Sequence, residues 1–171
     1  MVKPGKTTTR YADASSLVEA IGKYFHWQHD RWLFIPNLRM GTVFGSLYDH
    51  TVQQSIDAWA MALWPSLGFK TLAYEVKVSR HDFFRELEKP EKRQAALSVS
   101  NQFYFAVPSG LVSPAEVPKE AGLIYVVDRV SRGCKVIKEA PRREGSQPSW
   151  SFIASVARRL QKGEAVGDPA R

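Results

Sequence analysis

Residues 55–79 read SIDAWAMALWPSLGFKTLAYEVKVS, and the fold turns on them. Two runs rich in branched and aromatic residues, 55–63 and 70–79, flank Trp64-Pro65-Ser66-Leu67-Gly68-Phe69, where proline and glycine mark a turn. The pair reads as a β-hairpin. In its second run, period-2 alternation puts Glu75, Lys77 and Ser79 on one face and Tyr74, Val76 and Val78 on the other, with acid and ammonium roughly 7 Å apart along the strand. Folding the hairpin symmetrically about Ser66 and Leu67 sets Asp57 opposite positions 75–77. Two carboxylates and a lysine thus converge at the hairpin's open end.

On the N-terminal side, Leu17, Val18, Ile21, Tyr24 and Phe25 recur at helical spacing, so 15–25 is expected to be a helix, with Ser16 and Glu19 fitting a capping box. Residues 32–39 (WLFIPNLR) are expected to form a strand, with Pro36 calling for an edge, a bulge or a break. The glycines and polar residues from 41 to 54 read as a loop. On the C-terminal side, 80–88 carries Phe83, Phe84 and Leu87 on one helical face behind a Ser79/Asp82 cap. Pro90 then implies a break near Lys89 and a restart to about Ser100. Strands are expected at 103–108 and 123–128 and a third at 135–140, then a helix at 149–161. The expected organisation is a basic, flexible arm (1–10), one α/β domain (11–161) and a disordered tail (162–171).

At 171 residues the chain is one domain long, and 44% hydrophobic with 24% charged residues is the composition of a globular core rather than of a disordered or collagen-like chain. One cysteine, Cys134, excludes an internal disulfide and a Cys-x-x-Cys knuckle. The basic N-terminus lacks the apolar core of a signal peptide, and no run approaches the ~20 apolar residues of a membrane span. A cytoplasmic protein without a membrane partner is expected. Twenty-four Lys and Arg against 17 Asp and Glu leave +7, a balance that favours polyanionic partners.

Paired carboxylates supply hard oxygen ligands to Mg²⁺, and a neighbouring lysine can orient a water and offset charge on a phosphorane, so the cluster fits phosphodiester hydrolysis. An exposed cross-strand charge pair is the plain alternative for Glu75 and Lys77. The order of helix, acid-bearing hairpin, helix and strand resembles the core of the PD-(D/E)XK nuclease superfamily. The resemblance is closest to its MmcB-like DNA-repair branch and phage-encoded relatives. It runs through SIDAWAMALWPS (55–66), YEVKVSRHDF (74–83), KPEK (89–92), FYFAVP (103–108) and Gly122-Leu123, most of residues 15–130. It implies a restriction-endonuclease-like α/β core with a mixed central sheet, DNA as substrate and Mg²⁺ as cofactor, with Mn²⁺ as a substitute. On that resemblance Asp57 and Glu75 are the acids, Lys77 is the catalytic lysine and the Val76 carbonyl is a further metal ligand. Ile56 stands where the family's proline would be. Many members add a glutamate from the first helix, and Glu19 is the candidate, although a helix cap explains it too.

Ser79 and Asp82 read either as that cap or as support beside Lys77. Arg80 adjoins this segment, and Arg85, Lys89, Lys92 and Arg93 form one stripe if the two helical pieces align, a DNA-contacting edge or a solvated face. Arg129, Arg132, Lys135, Lys138, Arg142 and Arg143 make a second basic block suited to phosphate contacts or to solubility. His26 and His29 lack partners for a zinc site and read as surface or loop residues, while Trp59, Trp64, Phe103, Tyr104 and Phe105 read as core. A homodimer would set two sites against two strands, and no stretch of chain marks its interface. The rival to a nuclease is a DNA-binding module of the same fold that cuts poorly or not at all.

Overall fold

The hairpin lies near the centre of a six-stranded sheet. The computed structural model describes residues 13–40, 55–127, 133–144 and 147–163. Strands β1 (Trp32–Arg39), β2 (Ser55–Ala62), β3 (Thr71–Val76), β4 (Gln102–Pro108), β5 (Gly122–Val126) and β6 (Cys134–Lys138) are neighbours in the order of the chain. The first three run antiparallel, β3, β4 and β5 run parallel, and β6 returns antiparallel. Parallel neighbours need a crossover. Between β3 and β4 it is made by helices α2 (Arg80–Leu87) and α3 (Pro90–Ser98).

Helices cover both faces. Leu17 and Ile21 of α1 (Ala14–Phe25) pack with Leu72, Tyr74, Val76 and Ile124 on one face. On the other, Phe83 of α2, Ala95 and Ala96 of α3 and Phe152 of α4 (Trp150–Gln161) pack with Ile35, Trp59, Phe105 and Leu123. The fold is thus α/β, a mixed sheet flanked by helices. α1 approaches closely because Gly22 is small: a Cβ there would lie 2.8 Å from the Phe34 ring. Among the described residues no helix is long and apolar enough to cross a membrane.

Pro36 sits in β1, an edge strand, where its missing N–H interrupts no inner ladder. Pro90 opens α3 in the first-turn position proline tolerates. Four expectations need correction. α1 is capped by Asp13, whose carboxylate accepts the Ser16 N–H at 2.8 Å, so Ser16 and Glu19 form no capping box. β3 stops at Val76 because Ser79 turns out of the strand to cap α2, its Oγ accepting the Asp82 N–H at 3.1 Å. His26 is buried, its Nε2 2.8 Å from the Tyr74 hydroxyl inside a box of aromatic rings, whereas His29 is exposed. Trp64 is 53% exposed, held at the surface as its Nε1 donates to the Asp30 carbonyl. The other four aromatics are buried as expected, with the Trp59 Nε1 satisfied by the Val99 carbonyl.

Candidate active site

Residues Ala58↔Tyr74 to Met61↔Thr71 pair across β2 and β3, a register whose axis passes through Ser66. Continued by one step, it sets Asp57 against Glu75. There the side chain of Asp57 takes over from the ladder, its Oδ2 accepting the Val76 N–H at 2.8 Å. The Lys77 N–H donates to the Ala106 carbonyl of β4 at 3.1 Å, which holds the lysine backbone in line one residue beyond the end of β3. Lys77 Nζ lies 2.5 Å from Glu75 Oε1 and 3.3 Å from Oε2 of a third acid, Glu86.

Glu86 was not among the sequence candidates. It comes from α2, where the Ser79 cap sets the helix start, Phe83 packs edge-on against Phe105 with ring centroids 5.0 Å apart, and Arg93 donates to the Glu86 carbonyl at 3.0 Å. Its sequence signal is a carboxylate three residues after the buried Phe83, on the helix's inward face. The side chains of Lys77, Glu75 and Glu86 are 15%, 18% and 11% exposed, so this is a sheltered cluster and not a pair on a solvated strand.

Burial, then the charge of Asp57, pushes the Glu75 carboxyl up to about 7, against the opposing pull of Lys77. Burial also raises Asp57, although its bond from the Val76 N–H favours the ionised form. For Lys77, burial favours the neutral amine, but Glu75, Glu86 and Asp57 together outweigh it and hold the ammonium above its usual range. Three acids therefore share one ammonium. Among the described residues no group of three or more His, Cys, Asp or Glu side chains is gathered closely enough to hold a metal ion.

A cleft of about 290 Å³ adjoins the cluster, lined by Lys77, Glu86, Asp82, Arg85, Lys89 and Ala14 among others. Asp82 is tied to the α2 cap, its carboxylate accepting the Ser79 hydroxyl at 2.8 Å. Glu19 is exposed on α1 and paired with Lys23. The expected basic stripe divides. Arg93 is 6% exposed and bonds inward to Glu86 and Glu120, so it is a structural group and no part of a DNA-contacting edge. Arg80 is paired with Glu116 and bonds the Leu111 carbonyl. Lys138 donates to the Val117 and Pro118 carbonyls, and Arg143 to those of Glu120, Ser100 at 2.8 to 3.4 Å. Lys135 and Arg142 are exposed, Lys92 lies on α3, and Arg129 and Arg132 lie outside the described residues.

No family model and no curated protein matches this chain. Among solved structures, it is similar to the SPO1766 protein of unknown function from Silicibacter pomeroyi, with a TM-score of 0.56 at 18% identity, over 93% of this chain and 100% of that one. The likeness is one of fold: both chains build an α/β unit on the same plan.

Proposed function

We propose that this chain is a metal-dependent nuclease that hydrolyses DNA phosphodiester bonds, with a restriction-endonuclease-like core of the PD-(D/E)XK kind and a cytoplasmic role in DNA repair, recombination or phage DNA processing. The observation that carries the reading is the gathering of Asp57, Glu75 and Lys77 where the β2–β3 ladder ends. An unused cluster of this kind is costly, because sheltered carboxylates resist ionisation and repel one another.

The residues fit a hard divalent cation. Asp57 and Glu75 offer carboxylate oxygens, the Val76 carbonyl is a third oxygen donor on the same strand end, and one ammonium is too little charge to balance three acids. Mg²⁺ when bound, or Mn²⁺ in its place, supplies Lewis acidity toward a phosphoryl oxygen and a water. Lys77, released from Glu75, orients the attacking water and offsets the charge that gathers on the phosphorus. Ser79 and Asp82 hold α2, and with it Glu86, against the strand end. Arg85, Lys89 and Lys135 are exposed cations that meet backbone phosphates, which position a polyanion without reading its sequence.

The test is cleavage of labelled single-stranded, duplex, nicked and branched DNA, and of RNA, in Mg²⁺, Mn²⁺ or EDTA, with Asp57→Ala and Lys77→Ala beside the wild type. Metal-dependent cutting of DNA, lost by a factor of at least ~10² in both variants, is the expected result. Tight DNA binding without cutting, unchanged in the variants, would leave a recognition module instead.

A further inference from the structure

Of the three acids around Lys77, Asp57 and Glu75 belong to strands of the hairpin and Glu86 to α2. Glu86 and Lys77 line the cleft together. A carboxylate on the wall of a cleft that is to receive a polyanion repels it, so a sheltered one in that place needs a use of another kind. Among the described residues Glu86 is not gathered with Asp57 and Glu75 into a group able to hold a metal ion. The contact it makes is with the ammonium of Lys77, Oε2 to Nζ at 3.3 Å.

The base of Lys77 is fixed, because its N–H donates to the Ala106 carbonyl of β4 at 3.1 Å. Its tip is held from two sides, by Glu75 Oε1 at 2.5 Å from the same strand and by Glu86 from the helix. The two holds differ in permanence. An oxygen that Glu75 gives to a divalent cation is drawn away from the ammonium. Glu86 stands outside that exchange, and its place does not depend on the hairpin. Ser79 caps α2, Phe83 packs edge-on against Phe105, and Arg93 donates to the Glu86 carbonyl at 3.0 Å. An unheld lysine tip is free to sample the rotamers of a long flexible stem, a freedom equivalent to roughly 30-fold in an equilibrium.

We propose that Glu86 is a positioning residue that keeps the Lys77 ammonium at the cleft once Glu75 is drawn to a bound cation. It thereby keeps the group that orients the attacking water in its place. The inference rests on the nuclease reading for what Lys77 does, and on the geometry alone for what holds it. An amide oxygen at the same point supplies most of this hold, since it too accepts a hydrogen bond from the ammonium, and a methyl group supplies none.

The hold is read first without metal or DNA. Side-chain NMR of the lysine ammonium groups in EDTA detects one whose protons exchange slowly because it is held, and Lys77→Ala identifies the signal of Lys77. Removing Glu75 imitates its loss to a cation. Glu75→Ala is therefore expected to keep the slow signal and Glu75→Ala/Glu86→Ala to lose it. A signal lost in Glu75→Ala, or kept in the double variant, overturns the proposal. Cleavage kinetics in Mg²⁺ read the consequence. Glu86→Ala is expected to lower kcat by roughly 10- to 30-fold with KM changed by less than about 2-fold, and Glu86→Gln to recover to within about 3-fold of the wild type. A loss confined to KM, or Glu86→Gln no better than Glu86→Ala, overturns it as well. The two readings fail separately. The expected NMR pattern with no cleavage by the wild type removes the nuclease and keeps the hold of Glu86 on Lys77, and cleavage with the signal lost in Glu75→Ala does the reverse.

Discussion

Tyr74 and Glu75 are neighbours on β3, and alternation sends them to opposite faces of the sheet, each carrying a buried polar group. On the α1 face the Tyr74 hydroxyl meets His26 Nε2 at 2.8 Å in a closed box with Trp32 and Phe34. Both groups are held neutral: burial, and secondarily the charge of Lys70, pushes His26 down to about 3, and burial raises Tyr74 well above its usual range. On the α2 face Glu75 enters a cluster of titratable groups whose members Lys77 and Glu86 line a cleft. A neutral hydrogen-bonded pair can be sealed in a core at small cost, whereas a sheltered cluster with more acid than base holds its carboxyls at raised pKa, so that one of them keeps its proton nearer to neutral pH. The first pair is architecture. The second is the candidate site.

The two faces give stability opposite responses to pH, and the largest effect belongs to His26. Its folded-state value of about 3 lies below the 6.5 of the unfolded chain, so the unfolded chain binds the extra proton and stability drains away as pH falls from 6.5 toward 3. The loss is on the order of 3–4 kcal/mol by the bottom of that window. Urea unfolding at a series of acid pH values is expected to show it, and His26→Gln to flatten it. An unchanged acid limb in that variant would dissolve the contrast between the faces.

Glu75 runs the other way. Its folded value, about 7, lies above the ordinary 4.5, so its contribution is fully present below 4.5 and lost as pH rises through 7. Glu75→Gln is therefore expected to stabilise the metal-free protein by about 1–3 kcal/mol at pH 9 and to leave stability near pH 4 almost unchanged. Thermal melts at the two pH values check this, and Mg²⁺ is expected to narrow the gap by stabilising the wild type alone. The smallest effect is that of Tyr74→Phe, which strips His26 of the partner on Nε2 when Nδ1 has none among the described residues. A cost of about 1–2 kcal/mol that does not change between pH 7 and 9 sharpens the comparison, since no charge is involved on that face.

Much of this was legible along the chain. The period-2 alternation of Tyr74 to Val76, the turn chemistry around Ser66 and the helical spacing behind Ser79 are local properties, and each element formed within a few residues of its expected place. The pairing of Asp57 with Glu75 followed because a hairpin's register is set by its own turn. Glu86 was missed because it reaches Lys77 only after α2 folds back over the strand end, an angle fixed by Phe83 against Phe105 and by the hold of Arg93 on the end of the helix. His26 was misjudged because α1 and β1 close aromatic rings over it from separate segments.

The division is one of range. Turn residues, caps and alternation act between neighbours in sequence, so composition and pattern were enough for the order of elements, the hairpin and two of its acids. Burial, the sharing of one ammonium among three carboxylates, the parallel run of β3, β4 and β5, and the inward bonding of Arg93, Lys138 and Arg143 arise between segments far apart in the chain. Those depend on how the layers pack, because desolvation and Coulomb energy are set by distance in space and not by distance along the sequence.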